Sequence, residues 1–325
     1  MFRIVYMGTP HFAVPALLAL IEHAAPGAAL PDGYEIASVI TRVDKPVGRG
    51  REIVFSPVKQ AALDHHVPIW QPGSLKKPEN SAKLADLHAD LYIVAAFGQI
   101  LPQAVLDQPR CGTLNIHASL LPKYRGVSPI SEAILQGDAE TGVTIMLLDA
   151  GIDTGPILAQ RGIPIEEDDT TGSLTIKLAE LGAKTLLETL PLWVNGKIAP
   201  RPQDASLVSH THMLRKEDGA ISWQEPAALL ARKVRAYTPW PGAYTHWRGK
   251  LLKIISTQAS DERPDETARP GAVYAQQEQG RKALAVVTGS GTLLVRQLQI
   301  EGKRAMSADE FLHGYAQIVG ETLGA

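Results

Sequence analysis

Residues 1–10 read MFRIVYMGTP, and this stretch decides the class of fold. Its run at residues 3–6 is mostly apolar rather than alternating and ends in a glycine turn. Similar short runs return at residues 35–40, 90–96, 113–117 and 143–148. Continuous runs of this length are typical of strands buried on both faces of a parallel sheet. Because segments with helical spacing separate them, we predict an α/β fold with a mostly parallel, Rossmann-like sheet.

Helix signals divide the first part of the chain. Ser56-Pro57 and Ser128-Pro129 each offer an N-cap hydroxyl followed by proline at the first helical position, so we predict helices there. Apolar side chains at helical spacing predict a further helix over residues 171–192. We expect this helix to close a first domain, residues 1–194.

The pattern changes beyond that helix. Residues 195–211 are polar, contain two prolines and show no periodicity, which predicts a linker. Alternating stretches then predict strands at residues 243–256, 284–287 and 292–300. One helix is predicted before them, at residues 226–237, and one after them, at residues 307–317. We therefore predict a small β-rich second domain, a barrel, over residues 212–325.

Composition restricts the class of protein further. The chain has 325 residues, of which 45% are hydrophobic and 20% charged, which fits globular domains and excludes a disordered or fibrous protein. Its one cysteine, Cys111, excludes an internal disulfide, so we expect a reducing, cytoplasmic location. We expect no signal peptide and no membrane span, because no apolar stretch approaches about 18 residues.

Charge is divided unevenly along the chain. Residues 1–205 carry 17 basic and 22 acidic side chains, whereas residues 206–325 carry 15 and 12. The overall net charge is -2, but residues 206–325 carry a net positive charge. This asymmetry indicates a small preference of that part for anionic surfaces.

The turn after the first strand excludes two nucleotide-binding classes. Met7-Gly8-Thr9-Pro10 has proline where a dinucleotide fingerprint has its second glycine, which blocks close approach of the backbone to a pyrophosphate. A nicotinamide dehydrogenase is therefore disfavoured. The sequence also lacks a G-x-x-x-x-G-K-[ST] phosphate loop.

Asn115-Ile116-His117 is the most informative stretch for chemistry. Residues two apart on a strand share a face, so Asn115 and His117 converge at the carboxyl end of a strand, where open α/β sheets bind ligands. A carboxamide beside an imidazole suits acyl transfer, since the amide can hold a developing oxyanion and histidine can move a proton. A buried His–Asn pair with a purely structural role fits the same pattern.

A second polar segment follows the strand predicted at residues 143–148. Asp149-Ala-Gly-Ile-Asp153-Thr-Gly is a glycine-rich loop with two carboxylates, one of which could orient His117. Taken alone, the loop is ordinary turn chemistry. The ten histidines contain no H-x-x-x-H and Cys111 stands alone, so we expect no metal centre.

Together these motifs resemble those of the folate-dependent formyltransferase family. The resemblance begins with residues 115–126 (NIHASLLPKYRG) and residues 151–155 (GIDTG). It continues over both predicted domains at residues 2–12, 41–58, 96–102, 138–149 and 235–244.

The resemblance implies a catalytic trio of Asn115, His117 and Asp153. It also implies that the folate site is lined by Ser119, Leu120, Leu121 and Pro122. The implied donor is 10-formyltetrahydrofolate, and the implied acceptor is the α-amine of initiator methionyl-tRNA. The second domain is then expected to be an OB-like barrel that acts on tRNA.

Two basic segments are the predicted tRNA contacts. Residues 41–56 form a long connection where about 2–6 residues are usual, and it is similar to the family's insertion loop that enters the acceptor stem. Its arginines, and a cluster after the linker, are expected to contact tRNA: Arg42, Arg49, Arg51, Arg232, Lys233 and Arg235. We expect the nearby Trp240 and Tyr244 to be packing residues.

Two other functions remain open at this point. A folate-dependent formyltransferase that acts on a small amine would keep the same trio, but the basic loop and second domain favour tRNA. A tRNA-binding protein without catalysis would not need Asn115, His117 and Asp153.

Overall fold

Apolar segments of the N-terminal part form a seven-stranded sheet in the computed structural model, which describes residues 1–47, 52–265, 267–278 and 281–324. The strands of this part are β1 (Phe2–Gly8), β2 (Tyr34–Ile40), β3 (Lys45–Val47), β4 (Glu52–Val54), β5 (Ile69–Trp70), β6 (Leu91–Ala95), β7 (Thr113–His117), β8 (Glu140–Leu147) and β9 (Ile157–Pro164). Strands β3 and β4 form a separate antiparallel pair.

The large sheet has the order β5-β2-β1-β6-β7-β8-β9. Pairing is parallel from β5 to β7, which confirms a mostly parallel sheet. The prediction that the run at residues 143–148 is a parallel strand is wrong, because β8 pairs antiparallel with both β7 and β9. Six consecutive residues of β8 are buried, so both of its faces are covered, and an apolar run of this kind does not reveal the direction of the strand.

Eight α-helices are described, and their starts follow the sequence signals. They are α1 (Val14–Glu22), α2 (Pro57–Asp64), α3 (Pro78–Ala85), α4 (Gln103–Leu106), α5 (Pro129–Gln136), α6 (Thr171–Val194), α7 (Ala227–Ala236) and α8 (Ala308–Gly314). Ser56 caps α2 by accepting a hydrogen bond from the Lys59 N–H at 3.1 Å. The predicted starts at Pro57 and Pro129 and the long helix α6 are confirmed.

Strand β1 lies between β2 and β6 inside the large sheet, and its end comes close to its neighbours. A Cβ on Gly8 would lie 2.7 Å from the Ala13 Cβ and 3.0 Å from the Ala95 carbonyl oxygen. Glycine is therefore required here for close packing rather than for phosphate binding. The carboxyl ends of β1, β6 and β7 lie at one edge of the sheet, which is the edge that carries the site described below.

The C-terminal part contains a second, antiparallel sheet. Its strands are β10 (Ala243–Trp247), β11 (Lys250–Ser260), β12 (Val273–Glu278), β13 (Arg281–Val287), β14 (Thr292–Ile300) and β15 (Met306–Ser307). The order is β10-β11-β14-β13-β12, with β15 paired to β14. The predicted β-rich character is confirmed, whereas closure of the sheet into a barrel stays a prediction.

One predicted strand of this sheet is two strands. The stretch at residues 243–256 is broken by a turn at Arg248 and Gly249, whose φ angles are +49° and +75°. Behind the sheet, the apolar core includes Trp247, Leu298 and Phe311.

Contacts divide the chain into two units whose sequence is interleaved. Unit 1 contains Met1–Pro129, Glu140–Pro164 and Thr175–Thr211. Unit 2 contains Ile130–Ala139, Ile165–Leu174 and His212–Ala325. The segment predicted as a linker belongs to unit 1. Within the described part of the chain, no helix has the length and apolar character needed to cross a membrane.

Candidate active site

Strand β7 carries Asn115 and His117 to the edge of the large sheet. Asn115 is 8% exposed and His117 is 6% exposed. Pairing of β7 with β6 on one side and β8 on the other fixes the positions of both residues. His117 lies opposite Thr144 of β8. Two polar side chains are thus buried at the carboxyl end of a central strand, a position that open α/β sheets use for ligands.

The His117 ring is held from both of its nitrogens. Its Nε2 lies 3.0 Å from the Tyr124 carbonyl oxygen, and its Nδ1 lies 3.6 Å from the Asp153 Oδ2. A carbonyl oxygen only accepts hydrogen bonds, so Nε2 carries a proton in this arrangement. The Nδ1 atom is therefore the one free to exchange a proton, and it faces the carboxylate.

Asp153 adopts a strained backbone conformation to reach this position. Its φ angle is +52°, in the left-handed region, where a residue other than glycine costs roughly 1 kcal/mol or more. Its Oδ2 accepts a hydrogen bond from the Gly126 N–H at 2.7 Å. The structure thus brings Asp153 and His117 together, as the resemblance implies, while Tyr124 and Gly126 are contacts that the motifs did not reveal.

The other carboxylate of the loop has a different position. Asp149 Oδ1 accepts hydrogen bonds from the Gly151 N–H at 3.1 Å and the Thr154 hydroxyl at 2.5 Å. A Cβ on Gly155 would lie 1.9 Å from the Leu147 carbonyl oxygen, so the loop returns to the sheet only with glycine there. Asp149 therefore shapes the loop, and Asp153 faces the histidine.

The Asn115 carboxamide has no side-chain hydrogen bond to any residue that the structure describes. Its hydrogen-bonding capacity is therefore not used by the described part of the protein. Asn115 is 8% exposed, and a carboxamide N–H in this position is suited to donate a hydrogen bond to an oxygen of a bound ligand. The formyl oxygen of a donor is an oxygen of this kind.

Hydroxyl side chains hold the backbone of the segment that is predicted to line the folate site. The hydroxyl of buried Ser119 donates to the Lys123 carbonyl at 2.6 Å. The Thr144 hydroxyl donates to the Ser119 carbonyl at 2.7 Å and accepts from the Leu121 N–H at 3.1 Å. Leu121 is buried, which leaves Leu120 and Pro122 as the partly exposed members of the set. The role of these four residues in folate binding stays a prediction.

Gly126→Ala is expected to damage both stability and activity. The φ angle of Gly126 is +110°, and an added Cβ would lie 2.9 Å from Thr211 Oγ1 and 3.0 Å from its carbonyl oxygen. We expect a loss of about 1–3 kcal/mol in the free energy of unfolding, with a lower kcat because the N–H that holds Asp153 moves. Thermal unfolding and steady-state kinetics measure the two effects.

Gly196→Ala is the matched control, since Gly196 has a φ of +66° but no neighbour within 4 Å of an added Cβ. It should lose stability and keep kcat. A wild-type kcat in Gly126→Ala would show that its hydrogen bond to Asp153 has no part in activity.

The described part of the basic connection at residues 41–56 contains the antiparallel pair of β3 and β4, which is called the hairpin below. Arg42 and Lys45 are exposed, and the Arg42 guanidinium has no partner among the described residues. The predicted contacts Arg49 and Arg51 lie outside the described residues.

The base of this hairpin is fixed to α2. Lys59 forms an ion pair with Asp44, and its Nζ lies 3.9 Å from the centre of the Phe55 ring. The Gln71 amide donates to Asp44 Oδ1 at 2.9 Å. Chiefly because of the hydrogen bond from Lys59, the pKa of the Asp44 carboxyl is below its usual value. The pair therefore stays charged in mildly acidic solution.

The C-terminal basic cluster is tied into unit 2. Arg232 Nε donates to the Leu135 carbonyl at 3.0 Å, and Arg235 Nη1 donates to the Asp169 carbonyl at 2.9 Å. Burial and then the neighbouring Arg232 lower the pKa of the Arg235 guanidinium. Lys233 pairs with a carboxylate of the same unit. These side chains hold the fold, so contact with tRNA is a separate function that stays a prediction.

Two further expectations concern aromatic side chains and metals. Trp240 is 55% exposed, so the expectation that it packs in the core is wrong. The Tyr244 ring packs edge-on against His246 at 5.9 Å between centroids.

Across the described ranges, no three His, Cys, Asp or Glu side chains cluster in a way that could hold a metal ion.

The fold and this site agree with the protein family that the sequence matches. The family described as Formyl transferase matches residues 2–190, and Formyl transferase, C-terminal domain, matches residues 213–316. The chain belongs to the formyl transferase family and is a formyl-transferring enzyme. Its relatives include a methionyl-tRNA formyltransferase of Geobacter sulfurreducens, 43% identical over 99% of this chain and 96% of that protein.

A second relative and a solved structure extend the comparison. The methionyl-tRNA formyltransferase of Roseiflexus castenholzii is 46% identical over 99% of both chains. The N-formyltransferase of Helicobacter canadensis, solved with folinic acid and dTDP-3-aminofucose, aligns with a TM-score of 0.64. It covers 91% of this chain and 99% of that one at 19% identity, which shows a shared fold.

Proposed function

We propose that this enzyme transfers the formyl group of 10-formyltetrahydrofolate to the α-amine of initiator methionyl-tRNA in the cytoplasm. The observation that carries the proposal is the joint geometry of an unpartnered Asn115 carboxamide and a His117–Asp153 pair at 3.6 Å. Two full-length relatives with the methionyl-tRNA formyltransferase name support the choice of acceptor.

The reaction needs little base strength but good placement of charge. The amine nitrogen forms a bond to the formyl carbon, the bond from that carbon to the folate nitrogen breaks, and the amine proton ends on the folate nitrogen. An α-amine has an ordinary pKa of about 7.7–8.0, so a useful fraction is neutral at cellular pH. The protein must stabilise the oxyanion on the formyl group and carry one proton.

The named side chains suit those two tasks. The Asn115 N–H₂ donates to the formyl oxygen as it gains negative charge. His117 donates a hydrogen bond from its protonated Nε2 to the Tyr124 carbonyl, so its Nδ1 can take up a proton beside Asp153. The Asp153 carboxylate stabilises the imidazolium that forms and orients the ring. When bound, 10-formyltetrahydrofolate supplies the formyl group in an activated form.

An acceptor assay tests this function. Purified enzyme with 10-formyltetrahydrofolate is given charged initiator tRNA, free methionine or glycinamide ribonucleotide. We expect formylation of the charged tRNA at a kcat/KM at least about 10³-fold above that of either small amine, because remote contacts with tRNA lower the barrier. Equal rates with a small amine would favour the small-amine enzyme. Binding of tRNA without any product would favour the non-catalytic protein.

Arg42→Gln tests whether the hairpin contacts tRNA. We expect a lower kcat/KM for methionyl-tRNA and a log–log salt slope of tRNA binding that is smaller by about one, as for one lost phosphate contact. Binding of 10-formyltetrahydrofolate should not change. Arg161→Gln, at an exposed arginine of unit 1 that pairs with Glu188, is the control and should leave both quantities unchanged. An unaltered salt slope in Arg42→Gln would remove this residue from the tRNA contacts.

A further inference from the structure

The Gln203 side chain joins the two loops that form the candidate site. Its Nε2 lies 2.8 Å from the Asp153 carbonyl oxygen and 2.7 Å from the Gly155 carbonyl oxygen. Its Oε1 lies 3.0 Å from Nε and 2.7 Å from Nη2 of Arg125. All of these residues belong to unit 1.

The orientation of this carboxamide is fixed by chemistry. A guanidinium only donates hydrogen bonds and a carbonyl oxygen only accepts them, so the amide nitrogen must face the two carbonyls. Both N–H groups and the oxygen are then used, and no flipped amide satisfies the same partners. Gln203 is therefore a rigid connection rather than an adaptable surface side chain.

The connection acts on the residue that faces His117. Asp153 has a φ of +52°, which few side chains other than glycine adopt, and Gln203 holds its carbonyl and that of Gly155. Arg125 directly precedes Gly126, whose N–H holds the Asp153 carboxylate. One side chain thus restrains the backbone of Asp153 and also the loop that binds its Oδ2.

The segment around Gln203 is anchored on both sides. The Arg201 N–H donates to the Ile157 carbonyl at 2.9 Å, and the Arg125 N–H donates to the Ser209 carbonyl at 2.9 Å. The Tyr124 N–H donates to the Ser209 hydroxyl at 2.9 Å, next to the carbonyl that holds His117. The backbone that delivers Gln203 is therefore fixed to both site loops.

We propose that Gln203 is a positioning residue that sets the Asp153 carboxylate against His117. The proposal rests on the proposed function, in which Asp153 supports proton movement. It makes the segment at residues 195–211, predicted as a linker, a working part of the site. No motif marked this residue, because its partners lie about 50 and 78 positions away in the chain.

Gln203→Met tests the proposal, because methionine keeps the length of the side chain and loses all four hydrogen bonds. We expect kcat to fall about 10- to 100-fold, since a small displacement of a reacting group has effects of that size. The KM values for both substrates should stay within about twofold. Gln103→Met, on an exposed glutamine of unit 1, is the matched control and should keep wild-type kcat.

Gln203→Glu separates the two sides of the connection. Its carboxylate keeps Arg125 as a partner but turns an oxygen toward two carbonyl oxygens, so kcat should fall at least as far as in Gln203→Met. Wild-type kcat in this variant would overturn the proposal. If Gln203→Met does not fold, Gln203→Glu carries the test, with circular dichroism as the check of folding.

The double variant Gln203→Met with Asp153→Asn gives the decisive comparison. If Gln203 acts through Asp153, the double variant has the kcat of Asp153→Asn alone within about twofold. Losses that multiply would show that Gln203 acts elsewhere. Wild-type activity in Asp153→Asn would overturn the proposed role of Asp153 and this inference with it, whereas an inactive Asp153→Asn beside a normal Gln203→Met would overturn the inference alone. Failure of the wild-type enzyme to formylate methionyl-tRNA would instead overturn the proposed function.

Discussion

His117→Ala is expected to lower kcat by about 10²–10⁴-fold, the usual range for loss of a positioned acid–base group. The variant removes the Nδ1 atom that faces Asp153 at 3.6 Å and the Nε2 donor to Tyr124. Asp153→Asn should give a loss of at least about 10²-fold, because the imidazolium would then lack its carboxylate partner. Steady-state kinetics with saturating donor and tRNA measure both effects, and circular dichroism checks the fold.

His212→Ala is the matched control for this prediction. His212 Nε2 lies 3.7 Å from Asp218 Oδ2, almost the same spacing, but its side chain is 63% exposed. It should keep wild-type kcat. If His117→Ala also turned over at the wild-type rate, the acid–base assignment would have to be abandoned.

Asn115→Ala is expected to reduce kcat by about 10²–10³-fold, the loss seen when one oxyanion donor is removed. The KM for 10-formyltetrahydrofolate should change little, because this bond strengthens only as charge develops on the formyl oxygen. The carboxamide has no partner among the described residues, so its loss breaks no internal hydrogen bond. We therefore expect stability to be kept or slightly raised while activity falls.

Asn195→Ala provides the comparison for Asn115, since the Asn195 amide donates to the Pro191 carbonyl at an exposed helix end. It should leave kcat unchanged. A defect in Asn115→Ala that is confined to the KM of the donor would make Asn115 a residue that positions folate instead.

The sequence predicted the elements that periodicity and capping encode locally. Strand β7 and strand β14 have the predicted bounds, and the helix start at Pro57 follows from its serine cap. Direction and pairing are not local properties. The β8 strand is apolar because both of its faces are buried, and burial of both faces is compatible with either strand direction.

Some residues of the candidate site could likewise be predicted from local sequence, and others could not. Asn115 and His117 could be named from one strand, since alternation alone gives them a common face. The resemblance implied Asp153, but its left-handed backbone and its partners could not be read from the chain. Polar residues such as Gln203 and Ser209 look like loop composition until the fold brings distant carbonyls and amides to them.

The interleaving of the two units limits how this enzyme can be rearranged. The backbone passes from one unit to the other at five points, because residues 130–139 and 165–174 belong to unit 2. A cut at residue 211 would therefore strip unit 2 of helix α5 and of the Leu135 and Asp169 carbonyls that hold its arginines. Recombination between relatives at residue 211 would combine parts of unit 2 from two parents, so we expect chimeras to be more stable when each unit comes whole from one parent.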